Sequence, residues 1–175
     1  MSIEPDAKDW TWVLREPCDE CGLEAGTVVP ELIPQMLRDN ARHWQDVRAR
    51  TDAHWWTRRP NAQTWSPLEY AAHVRDVHGV FAERLGLMQT EEDPTFPNWD
   101  QDAAAIEGNY GQADPDRVLA ESRDQADAIA QRYQDLTRDQ WQRTGRRSDG
   151  AQFTAVTLAQ YHLHDVIHHL GDITR

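Results

Sequence analysis

Residues 66–88 read SPLEYAAHVRDVHGVFAERLGLM. The stretch opens on Ser66, follows with Pro67 and places Glu69 three positions after the serine. A serine oxygen can accept from the open amides of a first turn, proline suits the first helical position, and a glutamate at the third reaches back to the cap. This is the clearest helix start in the chain. Behind it Tyr70, His73, Val74, Val77, Val80, Phe81, Leu85 and Met88 recur three and four residues apart. That spacing predicts an amphipathic helix to Met88. His73 falls on the apolar stripe. His78 is out of phase with it and is expected off the buried face.

Reading outward, three more segments carry the same period. Residues 28–51 predict a helix with apolar marks at Leu32, Ile33, Met36, Leu37, Trp44 and Val47. A third starts at Asp114-Pro115 and runs to about residue 136, with Val118, Ala126, Ile129, Ala130 and Tyr133 as its stripe. Thr154 caps a fourth. The connection over 89–115 is long and polar, with a short helix expected near residues 100–106. The one over 137–153 holds Gly150 in a turn. No segment reads as a run of alternating strands. Four long amphipathic helices predict an all-α four-helix bundle over 29–175, with a long crossover connection between the second and third helices. Residues 1–28 read as an irregular segment packed on the bundle, with DWTWVL at 9–14 as a short extended piece. Trp55, Trp56, Trp65 and Trp99 lie in connections and are expected to pin them to the core.

The 175 residues favour one domain, and the formal net charge is -12. That charge disfavours nucleic acid and anionic membranes as partners. No apolar run reaches the roughly 18 residues of a membrane span. The N-terminus shows no signal peptide, so the cytoplasm is the expected compartment.

The fourth helix carries YHLHDVIHHLGDI over 161–173, with four of the eight histidines. At about 100° per residue, with Asp165 at zero, His169 falls near +40°, His162 near +60° and Asp172 near -20°. The apolar stripe centres near about +110°, so these four lie at or inside its margin, whereas His164 and His168, near -100° and -60°, are expected to face solvent. Two metal-binding pairs four residues apart therefore compete, His164 with His168 and Asp165 with His169. His73, the inward histidine of the second helix, offers a third ligand. Imidazole suits zinc, nickel, iron or copper, and three protein ligands with open positions describe a catalytic site.

WSPLEYAAHVRDV and HHLGDI together resemble the DinB-like superfamily, in which a tryptophan precedes a metal-binding histidine by eight residues. Trp65 and His73 hold that spacing. The resemblance maps the helix-four ligands onto Asp165 and His169, and the polar residue after them onto Asp172. Asp165 stands where many members carry His and the mycothiol-dependent maleylpyruvate isomerase branch carries Glu. The resemblance spans about 30–173 and implies a four-helix bundle with a divalent ion, often zinc or nickel. It also implies bacillithiol- or mycothiol-using S-transferases and isomerases or metal-dependent hydrolases as relatives, and a homodimer.

The expected function is a metal-dependent enzyme, with His73, Asp165 and His169 holding the ion. A low-molecular-weight thiol cosubstrate, or water, would attack a small-molecule electrophile. Asp172 or His162 would orient a ligand or take a proton. A different class, a non-catalytic stress-associated module with a structural metal, is the alternative. Cys18 and Cys21 form a Cys-x-x-Cys pair. An ordinary structural role ranks first, a zinc site completed by remote histidines second and redox sensing third. Arg143, Arg146 and Arg147 read as solvated surface before they read as a carboxylate-binding cluster.

Overall fold

The computed structural model describes residues 9–175. Expectations for residues 1–8, including the absence of a signal segment, lie outside the described residues. Two 3-10 turns, Trp10–Leu14 and Ala25–Thr27, precede the helices. Asp9 caps the first by accepting from the Thr11 amide at 2.9 Å, so the piece expected to be extended is helical. A third 3-10 turn, Pro30–Leu32, leads into α1, Ile33–Arg50. It turns Leu32 outward, 55% exposed, against the expected stripe.

The other elements are α2 (Ala53–Thr57), α3 (Pro67–Thr90), β1 (Thr95–Phe96), α4 (Gln101–Glu107), α5 (Pro115–Gln134), α6 (Arg138–Trp141), β2 (Thr144–Arg147), β3 (Gln152–Thr154) and α7 (Ala155–Thr174). The long helices α1, α3, α5 and α7 form the expected all-α four-helix bundle. Their starts follow the cap chemistry. Ser66 Oγ accepts from the Glu69 amide at 3.3 Å, and the Glu69 carboxylate accepts from the Ser66 amide at 2.8 Å. Asp114 caps α5 and Thr154 caps α7.

The main packing pairs are α3 with α5, α1 with α5, α3 with α7 and α1 with α7. Around the square the order is therefore α1, α5, α3, α7, which is no sequential meander. Because α3 packs on helices to both sides, a single apolar stripe understates its burial. Ala71, Ala72 and the off-stripe His78 are all buried.

A small sheet, absent from the sequence expectation, sits at one end in the order β1-β2-β3, with β1 parallel to β2 and β2 antiparallel to β3. Strands of two to four residues carry too little periodicity to read. At Gly145 on β2, a Cβ would lie 2.9 Å from Met88 Cγ and from the Phe96 ring, so only a glycine lets this strand cross so close to α3. The arginine cluster serves this sheet. Arg143 donates to the Met88 and Glu91 carbonyls at the end of α3, and Arg146 pairs with Asp93. Arg147 is buried, donates to Asp149 at 2.8 Å and lies 6.0 Å from the Phe153 and Tyr161 ring centres.

The N-terminal turns lie on α7, where Gln160 donates to the Gly26 and Val28 carbonyls at 3.1 and 2.9 Å. Among the described residues no helix is long and apolar enough to cross a membrane.

Candidate metal centre

His73 projects from the second turn of α3 into the bundle and is fully buried. Two connection tryptophans hold its ring. Trp65 lies 5.3 Å away, and Trp99 stacks on the ring at 5.2 Å and 20°. Trp65 and Trp56 are themselves buried, as the pinning expectation required. His73 Nε2 is 3.3 Å from Asp165 Oδ1 on α7. One turn further along α7, His169 Nε2 is 3.7 Å from the same oxygen, and the His73 and His169 rings meet edge to face at 4.6 Å. One donor atom from each of His73, Asp165 and His169 lies within 4.8 Å of the others. The pairing of α3 with α7 and the four-residue spacing on α7 together produce this convergence.

The electrostatics suit a ligand set. Burial holds His73 below the ordinary imidazole range, against the pull of Asp165. Burial alone would raise the Asp165 carboxyl, but the His73 hydrogen bond and the surrounding imidazoles outweigh it and hold the carboxyl below its usual range. An ionised carboxylate beside a neutral imidazole is the protonation state that metal coordination requires. His73 Nδ1 is buried with no hydrogen-bond partner among the described residues.

Asp172 accepts from His169 Nδ1 at 2.9 Å and from Arg175 at 2.7 Å. A carboxylate on the far nitrogen of a histidine fixes its tautomer and its ring plane. Two cavities flank the cluster. One of ≈ 370 Å³ is lined by Asp165, Phe81, Arg84, Trp99, Arg147 and Tyr161. The other, of ≈ 270 Å³, is lined by His169, Asp172, Tyr70 and Trp65. Trp10 lines both.

His162 departs from its expected role. It is fully buried in the core, 2.9 Å from His78 Nδ1 through Nε2 and 3.4 Å from the Tyr133 hydroxyl through Nδ1, and it stacks on Phe81 at 4.6 Å. Both ring nitrogens therefore have partners within the core, on α3 and α5.

His164 and His168 also depart from expectation. They are 3% and 6% exposed rather than solvent-facing, because the N-terminal segment covers that face of α7. Trp10 packs against both, at 5.8 and 4.9 Å. A wheel of α7 alone carries no information about a segment some 150 residues away. Cys18 and Cys21 lie on that covering segment, and their sulfurs fall within 4.8 Å of a nitrogen of each of these histidines. Two signals in the sequence bear on this second cluster, the Cys-x-x-Cys spacing and the four-residue spacing of His164 and His168.

The described fold resembles YfiT from Bacillus subtilis, described as a probable metal-dependent hydrolase with an unusual four-helix bundle topology. The two are 20% identical, with a TM-score of 0.74 over 91% of each chain. No curated protein matches the chain. The profile of the DinB superfamily matches residues 37–173, which include α3, α7 and the three converging donors. The chain belongs to the DinB superfamily.

Proposed function

We propose that His73, Asp165 and His169 hold one divalent metal ion and that the protein is a metal-dependent enzyme acting on a small electrophile. The observation that carries this reading is the convergence of two imidazoles and a carboxylate from α3 and α7 at the junction of two cavities. Two nitrogens and one oxygen suit zinc or nickel, and three protein ligands leave positions open. Bound there, such an ion supplies Lewis acidity and lowers the pKa of a thiol or water placed on it.

The chain's own residues supply the rest. Asp172 holds His169 with its Nε2 toward Asp165. Trp99 and Phe81 give the larger cavity apolar walls. Arg84, buried at the same cavity, pairs with no carboxylate among the described residues and donates only to the Pro97 carbonyl, at 3.4 Å. An unpaired buried guanidinium favours a substrate that carries an acidic group.

The nucleophile is a low-molecular-weight thiol in the leading reading, which makes the protein an S-transferase. Water, making it a hydrolase, is second, and the likeness to YfiT supports it. Metal analysis tests the centre: His73→Ala and His169→Ala should each lose one ion per chain relative to wild type. Unchanged content in both folded variants would falsify the assignment. Consumption of an electrophile bearing a carboxylate, assayed with and without added thiol, separates transfer from hydrolysis.

A further inference from the structure

We propose that Cys18, Cys21, His164 and His168 form a second, closed zinc site that fastens the N-terminal segment to α7. Four donor atoms, one from each residue, lie within 4.8 Å of one another. Cys18 Sγ is 3.6 Å from His168 Nδ1. In a tetrahedral zinc site with the usual Zn–S and Zn–N lengths, a sulfur and a nitrogen sit about 3.5 Å apart, so this edge already has the required length.

The local chain is built for the role. Gly22 takes a left-handed φ of 75°, its amide donates to the Cys18 carbonyl at 2.7 Å, and the Cys18 amide donates to the Leu23 carbonyl at 3.0 Å. This tight turn brings both sulfurs to one side. The two cysteines are not joined in a disulfide. On α7, positions four apart present both imidazoles to the same side.

The spacings Cys-x2-Cys and His-x3-His are those of closed zinc sites, here supplied by opposite ends of the chain. His164 Nε2 is buried with no hydrogen-bond partner among the described residues, an uncommon state for a buried ring nitrogen. His168 Nε2, on the far side of its ring from Cys18, has the Glu20 and Asp172 carboxylates 3.7 and 3.8 Å away, so acidic groups flank its outer side. Two thiolates and two neutral imidazoles balance the charge of zinc and fill four positions, so this site is structural. It also sets Trp10, packed on both histidines, as a wall of the two cavities at the first centre.

The test uses the full-length chain purified under reducing conditions. Zinc content should fall by one ion per chain in Cys18→Ser. Exchange for cobalt(II) should give a thiolate-to-cobalt charge-transfer band in wild type and equally in His73→Ala, and no band in the double variant Cys18→Ser/Cys21→Ser. The His73→Ala arm keeps this result separate from the fate of the first centre. His164→Cys retains four donors and should keep the ion with a stronger band, so a serine variant that fails to fold leaves the decision to wild type and His164→Cys. Cobalt-loaded wild type without the band, or unchanged zinc in folded Cys18→Ser, overturns the proposal.

Discussion

His78 and His162 face each other in the core, and their fate depends on staying neutral. Burial pushes His78 from its ordinary 6.5 down to about 4, and pushes His162 well below 6.5, with the neighbouring His78 adding to it. In the unfolded chain both titrate near the ordinary value, so below about pH 6.5 the unfolded state binds more protons than the folded one. Stability is complete above that pH and is lost progressively toward about pH 4, on the order of 3 kcal/mol for His78 alone. Urea midpoints measured across that window should fall, and the slope should flatten in the double variant His78→Phe/His162→Phe. Either single variant leaves a buried nitrogen unpartnered and should lose about 1–3 kcal/mol, with the double variant losing less than the sum. At the first centre, Asp172→Ala removes the acceptor of His169 Nδ1 and should weaken metal affinity about 10–100-fold by competition with a chelating dye. At this scale the sequence was legible where a residue's own helix decides its surroundings. His73, Asp165 and His169 follow from helical phase and motif spacing. His162, His164 and His168 do not, because their surroundings come from α3, α5 and the N-terminal turns.

Helix ends were readable because caps are local chemistry. Ser66, Asp114 and Thr154 each accept from an amide of the first turn they begin. Ser66→Ala should lower stability by about 2 kcal/mol in chemical unfolding. The loss should sit at the upper end of the usual range, since Glu69 of this cap also receives Arg59 Nε at 2.8 Å. The N-terminal turns were not readable as helical pieces, because three to five residues show no period. Their docking is nonetheless tight. A Cβ on Gly26 would meet the Leu14 carbonyl oxygen at 2.1 Å, and a backbone atom cannot swing aside. Gly26→Ala should therefore separate the two turns and cost about 1–3 kcal/mol. Faster proteolysis in the N-terminal segment, with α1 to α7 retained by circular dichroism, would be its signature. Unchanged protease resistance would show that the segment is held without that contact.

For the whole molecule, composition and periodicity supplied four helices, and the superfamily motifs pointed to the candidate site. Which helix neighbours which was not legible, since stripe width says that a helix is buried and not against what. The order α1, α5, α3, α7 has a kinetic consequence. The consecutive pairs α1/α3 and α5/α7 are not main packing partners, while α1 packs on α5 and α7 from the far end of the chain. Long loops must close, over residues 51–114 to bring α5 and over 51–154 to bring α7, before α1 gains its partners, and such non-local contact slows the search. The protein should refold more slowly than a sequential up-and-down bundle of equal length in stopped-flow fluorescence. A nascent chain that has emerged only through α3 should lack cooperative unfolding, so during synthesis the apolar face of α1 waits unsheltered until α5 leaves the ribosome, and is closed over only when α7 follows.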